Sequence, residues 1–275
     1  MKDFLTEEMR TEFEKSIKIG VVATIGEDQL PHMTVLSTLM GKGNDQMMFG
    51  KFVEGLSKEN ILNHPQSGFL IMNPEKAFWT GKMTYDHFLK EGEDLVLYNN
   101  QPLYRYNTYF GINTVYYFRL KEISDQQTLP MGKIILNSLK ILMKKHRFVE
   151  KNIPPIMKPW AVKFTGKLDT LMFLAYLGDD GYPIIIPCIQ AQSAGSSRIL
   201  LRDDPYRDQL SKLKQGMKIA MLAFSMSMET VLLKGSFSGF DKRGYGFMQI
   251  EIVYNSMPPV HGFVYPETPI EAIDF

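Results

Sequence analysis

The sequence contains two copies of one pattern, and this repeat restricts the possible folds more than any other feature. Gly26 opens an acidic turn that ends at Pro31, and Gly178 opens a similar turn that ends at Pro183. The two glycines are 152 positions apart, and so are the two prolines. Apolar stretches flank both turns, and apolar runs joined by a turn of glycine and acidic residues are typical of a β-hairpin.

Further matches follow in the same order along the chain. Residues 47–49 match 199–201 at an offset of 152, and the Leu-Ser-Lys run of 56–58 matches that of 210–212 at 154. Because the order is shared and the offsets differ by only two, we interpret the chain as two copies of one module of roughly 100 residues. Each module is predicted to be mainly β with a few helices, so the expected fold class is α+β.

Three segments follow from the repeat. The first module is assigned to residues 1–130 and the second to 160–275, and residues 131–159 are assigned to a connector helix and a proline-rich linker. In the connector, apolar residues recur at the spacing of an amphipathic helix: Ile135, Leu139, Leu142 and Met143. We expect this apolar stripe to pack against the protein. A basic amphipathic helix that binds a membrane surface or an anion is the alternative.

Composition excludes several classes of protein. The chain has 31 Lys and Arg against 30 Asp and Glu, which does not fit a general nucleic-acid binder. Its single cysteine, Cys188, excludes an intrachain disulfide framework and any CxxC motif. No signal-peptide pattern or run of about 18 apolar residues occurs. We therefore expect a cytoplasmic protein with no nucleic-acid partner and no membrane partner.

The motifs of common enzyme classes are missing from the sequence. The five histidines show no metal-ligand spacing, and no GxSxG, HExxH, GxGxxG or Walker pattern occurs. The sequence therefore predicts no metal site and identifies no catalytic residue. What it does offer is a short helix that starts near Ser57 and ends at the Asn-His-Pro run of 63–65, with Ser57 as the expected N-cap. A helix N-terminus attracts phosphate.

A strand, an acidic turn, a second strand and a Ser-Lys helix start that leads to Asn-x-Pro resemble the FMN-binding split-barrel superfamily. That superfamily includes proteins similar to pyridoxamine 5'-phosphate oxidase and to flavin reductases. The resemblance implies two tandem split β-barrels that bind FMN in a groove between two barrels. It leaves open whether the two copies pair as an intrachain pseudo-dimer and whether the whole chain forms a homodimer.

The resemblance also implies a set of cofactor-binding residues. Those expected at the FMN phosphate are Lys51, Ser57, Lys58 and Asn60. Those expected to contact the isoalloxazine ring through the strand after Pro31 are Met33, Thr34, Val35 and Leu36, and those from a later strand are Trp79, Gly81 and Lys82. Two structural alternatives stay open: a solvated helix cap for the Ser-Lys pair, and core packing for Trp79.

By this resemblance the protein is an FMN-dependent oxidoreductase that passes hydride or electrons from a donor such as NAD(P)H to a small acceptor. Val35 and Leu36 stand in the region where the oxidase proper usually has an arginine, so the chain is not expected to be that oxidase. The alternatives are a non-enzymatic flavin- or ligand-binding protein, or a split barrel that binds F420 or haem. In the second copy, Ser211 and Lys212 are not followed by Asn-x-Pro, so the first copy is expected to keep the flavin.

Overall fold

The computed structural model describes residues 1–51, 55–102, 111–150, 154–255 and 262–266. The chain forms two compact units. The first comprises Met1–Leu129 with Ala175–Ile185, and the second comprises Pro130–Leu174 with Ile186–Phe275. In this grouping the connector helix lies in the second unit, and the segment Ala175–Ile185 around the second acidic turn lies in the first.

Within its described residues, the N-terminal half of the chain contains three helices and eight strands. In chain order they are α1 (Glu7–Glu14), β1 (Ile19–Ile25), β2 (Pro31–Val35), β3 (Met40–Lys42), β4 (Gln46–Lys51), α2 (Leu56–Asn63), β5 (Gln66–Met72), β6 (Ala77–Leu89), α3 (Glu93–Asn100), β7 (Thr114–Ile123) and β8 (Gln127–Thr128).

The C-terminal half repeats this arrangement with different helices. In chain order its elements are α4 (Met131–Lys144), a 3-10 turn (Lys145–Phe148), α5 (Pro159–Thr165), β9 (Leu171–Leu177), β10 (Pro183–Ile186), β11 (Gln192–Ser193), β12 (Arg198–Arg202), α6 (Arg207–Leu210), β13 (Lys218–Phe224), β14 (Thr230–Phe240), β15 (Tyr245–Asn255) and β16 (Gly262–Tyr265).

The two sheets have the same strand order, which confirms the repeat. The first runs β2-β1-β5-β6-β7-β4-β3, and the second runs β10-β9-β13-β14-β15-β12-β11. An eighth strand joins each sheet off this path, β8 on β6 and β16 on β15. The predicted fold class, mainly β with helices and two tandem split barrels, is confirmed. No helix in the described ranges is long and apolar enough to cross a membrane.

Helix α1 closes the core of the first sheet. Thr6 caps the helix by accepting a hydrogen bond from the backbone N–H of Met9. Met9 and Phe13 lie on the buried face, and the Phe13 ring meets the Trp79 ring edge-on, with centroids 5.3 Å apart. This core spans β1, β4, β5, β6 and β7, so it fixes the strands around which a site can form.

A glycine stands at the same place in each sheet, where the long sixth strand meets the seventh. A Cβ on Gly81 would overlap the Phe69 ring and the carbonyl oxygen of Glu122, and a Cβ on Gly235 would overlap the carbonyl oxygen of Gln249. The pairing register shifts beside both glycines. Only glycine fits at these two crossings because the backbones approach too closely for any side chain.

Helix α4 packs on the second unit through a face that the periodicity did not predict. The residues expected to be buried (Ile135, Leu139, Leu142 and Met143) are all exposed. The buried positions are Ile134, Asn137, Ser138 and Ile141. Polar contacts explain this choice: the Asn137 side-chain amide donates to the Asp204 carboxylate at 2.6 Å, and the Gln192 amide donates to the Ser138 carbonyl oxygen.

Candidate functional site

The start of helix α2 is the first part of the site. The helix begins directly after Gly55, and no side chain among the described residues caps its first turn. The expectation that Ser57 is the N-cap is therefore wrong, since Ser57 is the second helical residue. The expected end is confirmed, because the helix stops at Asn63 before His64 and Pro65. An uncapped N-terminus presents N–H donors and the positive end of the helix dipole.

A hydroxyl pair joins this helix to strand β2. The Ser57 Oγ and Thr34 Oγ1 atoms are 2.6 Å apart, and Ser57 is almost fully buried. Thr34 is opposite Val22 in the β1–β2 ladder. The contact therefore fixes the start of α2 against the second strand of the hairpin and places two hydroxyl groups beside it.

A lysine ammonium lies over the same helix start. The Lys58 Nζ atom is 3.7 Å from the point where a Cβ on Gly55 would stand. The Lys58 residue is only 8% exposed, so its charge is held beside the first turn instead of extending into water. An ammonium and a helix N-terminus are both positive, so together they favour an anion at this place.

Strand β2 lies at one end of the strand order, which leaves its outer side as the sheet edge. The backbone N–H of Leu36 donates to the Gly20 carbonyl oxygen. Because hydrogen-bonded and non-hydrogen-bonded pairs alternate in an antiparallel ladder, Thr34 also bonds back to β1, while Met33 and Val35 direct their N–H and C=O groups outward. Met33 is fully buried and Val35 is partly exposed, so of the four residues predicted for the ring Val35 offers accessible backbone groups at this edge. The Leu36 side chain is buried in the core.

The remaining residues predicted for the phosphate have different surroundings. The Asn60 side-chain amide donates to the Thr24 hydroxyl at 3.0 Å, and both residues are buried. Asn60 therefore connects α2 to β1. Lys51 is the last residue of β4, opposite Thr114, and precedes the gap at residues 52–54 in the described structure.

The three residues predicted for the ring on β6 have other partners in the structure. Trp79 is 1% exposed and packs in the core, which is the structural alternative that the sequence left open. Gly81 is enclosed by Phe69 and the Glu122 backbone. The Lys82 ammonium pairs with Glu122 and with Asp180, each at 2.8 Å.

Ion pairing shifts the pKa values of these charged groups. Burial lowers the pKa of Lys82, but hydrogen bonds to Asp180 and Glu122 raise it by more, so the net shift is upward. Burial raises the pKa of Asp180, but the hydrogen bond from Lys82, backbone hydrogen bonds and the charge of Lys82 together lower it by more, so the net shift is downward. Lys82 is therefore engaged in a pair of salt bridges within the first unit.

Two site residues were missed in the sequence. Gly55 provides the uncapped start of α2, and Thr24 anchors Asn60. Thr24 had a usable signal, since it is a polar residue inside the apolar run of 21–25. Gly55 had none, because a glycine before a helix is compatible with many loop conformations.

The second copy lacks the same helix start. Helix α6 has four residues, Arg207–Leu210, and ends before Ser211 and Lys212. The Ser-Lys pair that matches the first copy in sequence therefore lies at the helix end. Nearby, the Arg207 guanidinium pairs with Asp203 at 2.9 Å, and the Arg202 guanidinium stacks over the Tyr245 ring at 4.4 Å.

No model of a protein family matches the sequence, and no curated protein matches it. Solved structures do. An FMN-binding protein from Syntrophomonas wolfei is 18% identical, with a TM-score of 0.38, over 45% of this chain and 86% of its own. A candidate pyridoxamine 5'-phosphate oxidase from Lactobacillus delbrueckii is 14% identical, with a TM-score of 0.36, over 45% of this chain and 96% of its own. An F420 reductase is 15% identical, with a TM-score of 0.36, over 44% and 98%.

Proposed function

We propose that the protein binds FMN and holds its phosphate at the start of α2. The observation that carries this proposal is the Lys58 ammonium, which is buried over an uncapped helix N-terminus beside the hydroxyls of Thr34 and Ser57. A phosphate monoester carries close to two negative charges and several acceptor oxygens at neutral pH. Helix N–H groups, an ammonium and hydroxyl donors are the groups that such an anion requires.

Strand β2, which carries Thr34, also offers a position for the flavin ring. Thr34 reaches the start of α2 through its side chain, while its neighbours Met33 and Val35 turn their backbone groups to the sheet edge. A flat ring with several polar edge atoms can pair with such N–H and C=O groups. We therefore assign the ring to the outer edge of β2 and make no use of Trp79 or Lys82.

The proposed reaction is the transfer of hydride or electrons from NAD(P)H or another donor to a small acceptor. The flavin supplies this chemistry when bound. The residues of the chain bind and orient it: Lys58 and Ser57 hold the phosphate, and the β2 backbone holds the ring. A strong acid or base is not required, which agrees with the lack of a catalytic motif in the sequence.

The test compares FMN with riboflavin, which lacks the phosphate. Purified protein is titrated with each ligand by fluorescence quenching, as wild type, as Lys58→Met and as the control Lys121→Met on β7. A charge-assisted hydrogen bond contributes about 1.5–3 kcal/mol, so Lys58→Met is expected to weaken FMN binding by about 10- to 100-fold. Riboflavin binding should stay unchanged in both variants, and FMN binding should stay unchanged in the control.

Two results would overturn the proposed site. If wild-type protein binds riboflavin as tightly as FMN, the phosphate group contributes nothing to the affinity and the proposed phosphate site is wrong. A Lys58→Met variant that loses both ligands equally, with an unchanged circular dichroism spectrum, would also overturn the proposed site. The redox step has its own test: FMN-loaded protein should oxidise NADH or NADPH in the presence of an acceptor. Binding without oxidation of either donor would favour the non-enzymatic alternative.

A further inference from the structure

Helix α4 has a second apolar face, and this face points to solvent. Its buried side packs on the second unit. Large apolar side chains on the opposite side are between 43% and 65% exposed: Ile135, Leu136, Leu139, Leu142 and Met143. At 100° per residue they occupy a stripe about 120° wide. Soluble proteins rarely expose such a contiguous group unless it binds something.

The charged residues of the segment that contains α4 are all cations, and one of them, Lys133, lies 4.0 Å from the Asp204 carboxylate. Residues 126–149 contain no Asp or Glu, and they contain the cations Lys133, Lys140, Lys144, Lys145 and Arg147. On the helical wheel Lys133, Lys140 and Lys144 fall in one row between the exposed stripe and the buried face. Long lysine side chains in such a row can keep their stems on apolar surface and direct their charges past it.

A cleft at the C-terminal end of the helix is also lined by apolar and cationic side chains. It has a volume of about 450 Å³, and its walls include Leu142, Val149, Lys145 and Lys163. The Lys145 ammonium donates to the Gln192 side-chain oxygen at 3.4 Å. Burial lowers the pKa of Lys145, which means that a nearby anion would stabilise its charged form. The apolar stripe therefore leads into a cationic recess.

We propose that α4 is a membrane-surface helix that binds anionic phospholipid, with its exposed stripe in the headgroup region and its lysines on the lipid phosphates. An apolar face flanked by lysines is the pattern of helices that lie in this interface, and each cation adds attraction to an anionic leaflet. The sequence led us to expect no membrane partner because it contains no signal-peptide pattern and no run of about 18 apolar residues. A helix that lies on the membrane surface requires neither.

The positive charge of α4 favours binding to an anionic lipid surface over binding to a second copy of the chain. Two α4 helices packed through their stripes would place lysine rows near one another with no carboxylate on either helix to balance them. Like charges brought together disfavour such a contact. An anionic lipid surface satisfies the stripe and the lysines together.

The experiment is co-sedimentation of the full chain with vesicles of phosphatidylcholine alone and of phosphatidylcholine mixed with phosphatidylglycerol. The charge variant is Lys140→Glu with Lys144→Glu, and the apolar variant is Leu139→Gln with Leu142→Gln. The matched controls are Lys121→Glu with Lys242→Glu, and Val96→Gln with Leu97→Gln on α3, where both residues are also exposed. Circular dichroism checks the folding of each variant.

Wild-type protein should bind the anionic vesicles and not the neutral ones, and added salt should release it. Each α4 variant should bind about tenfold more weakly or worse, while both controls should bind like wild type. Failure of wild type to bind anionic vesicles would overturn the proposal. So would equal losses in the controls, or a homodimer in sedimentation equilibrium that dissociates in Leu139→Gln with Leu142→Gln.

Discussion

The side-chain oxygens of Thr34 and Ser57 lie 2.6 Å apart, and this contact joins the edge strand of the first sheet to the start of helix α2. One hydroxyl donates and the other accepts. A phosphate oxygen can accept from the Ser57 hydroxyl while the Thr34 hydroxyl donates to Ser57, so ligand binding is coupled to the direction of this bond and to the position of β2.

The coupling predicts different effects for the two hydroxyls. Ser57→Ala and Thr34→Val each remove the bond, so each should lower the free energy of unfolding by about 1 kcal/mol. Only Ser57→Ala removes a hydroxyl from the proposed phosphate position, so it should weaken FMN binding several-fold more than Thr34→Val does. Urea unfolding and FMN titration measure the two quantities. Additive unfolding effects in the double variant would contradict a direct bond between them.

Asn60 is predicted to act through the fold. Asn60→Leu removes the hydrogen bond to the buried Thr24 hydroxyl, so the free energy of unfolding should fall by about 1–3 kcal/mol. The ratio of FMN to riboflavin affinity should not change, because the amide is directed at β1. A fall in that ratio comparable to the fall for Lys58→Met would show that Asn60 contacts the phosphate instead.

Substitution of Trp79 can show whether its indole packs in the core or contacts the flavin ring. Trp79→Ala should lower the free energy of unfolding by about 3–5 kcal/mol, as expected for a large side chain removed from a core. Trp79→Phe keeps an aromatic ring against Phe13 and should cost less. Denaturant unfolding measures the free energy of unfolding of both variants. The folded Trp79→Phe protein should bind FMN like wild type, and a tenfold loss there would place the indole at the flavin.

The pair of Lys82 and Asp180 predicts a dependence of stability on pH. The pKa of Asp180 is below its ordinary value of 3.8 in the folded chain, so the folded state binds fewer protons than the unfolded state near that pH. The stabilisation is present above pH 3.8 and declines as the pH falls through the lower folded pKa. Asp180→Asn should therefore be less stable than wild type at neutral pH, and the difference should shrink in acid.

Urea midpoints of both proteins at a series of pH values measure this effect. Because the Asp180 side chain is about half exposed, salt should also reduce the difference. A difference that stays constant from neutral pH to below pH 3.8 would rule out the ion pair as its source.

Much of the fold was predictable because the chain repeats itself. Two turns with the same glycine and proline spacing are independent signals for one hairpin, and both hairpins form, as β1–β2 and β9–β10. Periodicity failed on α4 because apolar residues occur around most of that helix. Contacts of Asn137 and Ser138 with distant residues selected the buried face, and no local pattern contains such contacts.

The site was predictable where it depends on the backbone and less so where it depends on side-chain direction. The helix end at Asn63 and the strand after Pro31 were predicted correctly, since proline and turn residues control them locally. Whether Trp79 faces a ligand or the core depends on the register of β6 against β5 and on α1 above it. That information lies in partners distant in sequence.

The crowded glycines of β6 and β14 limit how the two halves of the chain can diverge. A duplicated domain is free to change its helices in one copy, as the four-residue α6 illustrates. It is not free to change Gly81 or Gly235, where a single methyl group would meet the neighbouring strand. In a library of all single substitutions, these two positions should tolerate very few replacements, and they should do so whether or not their own copy binds a ligand.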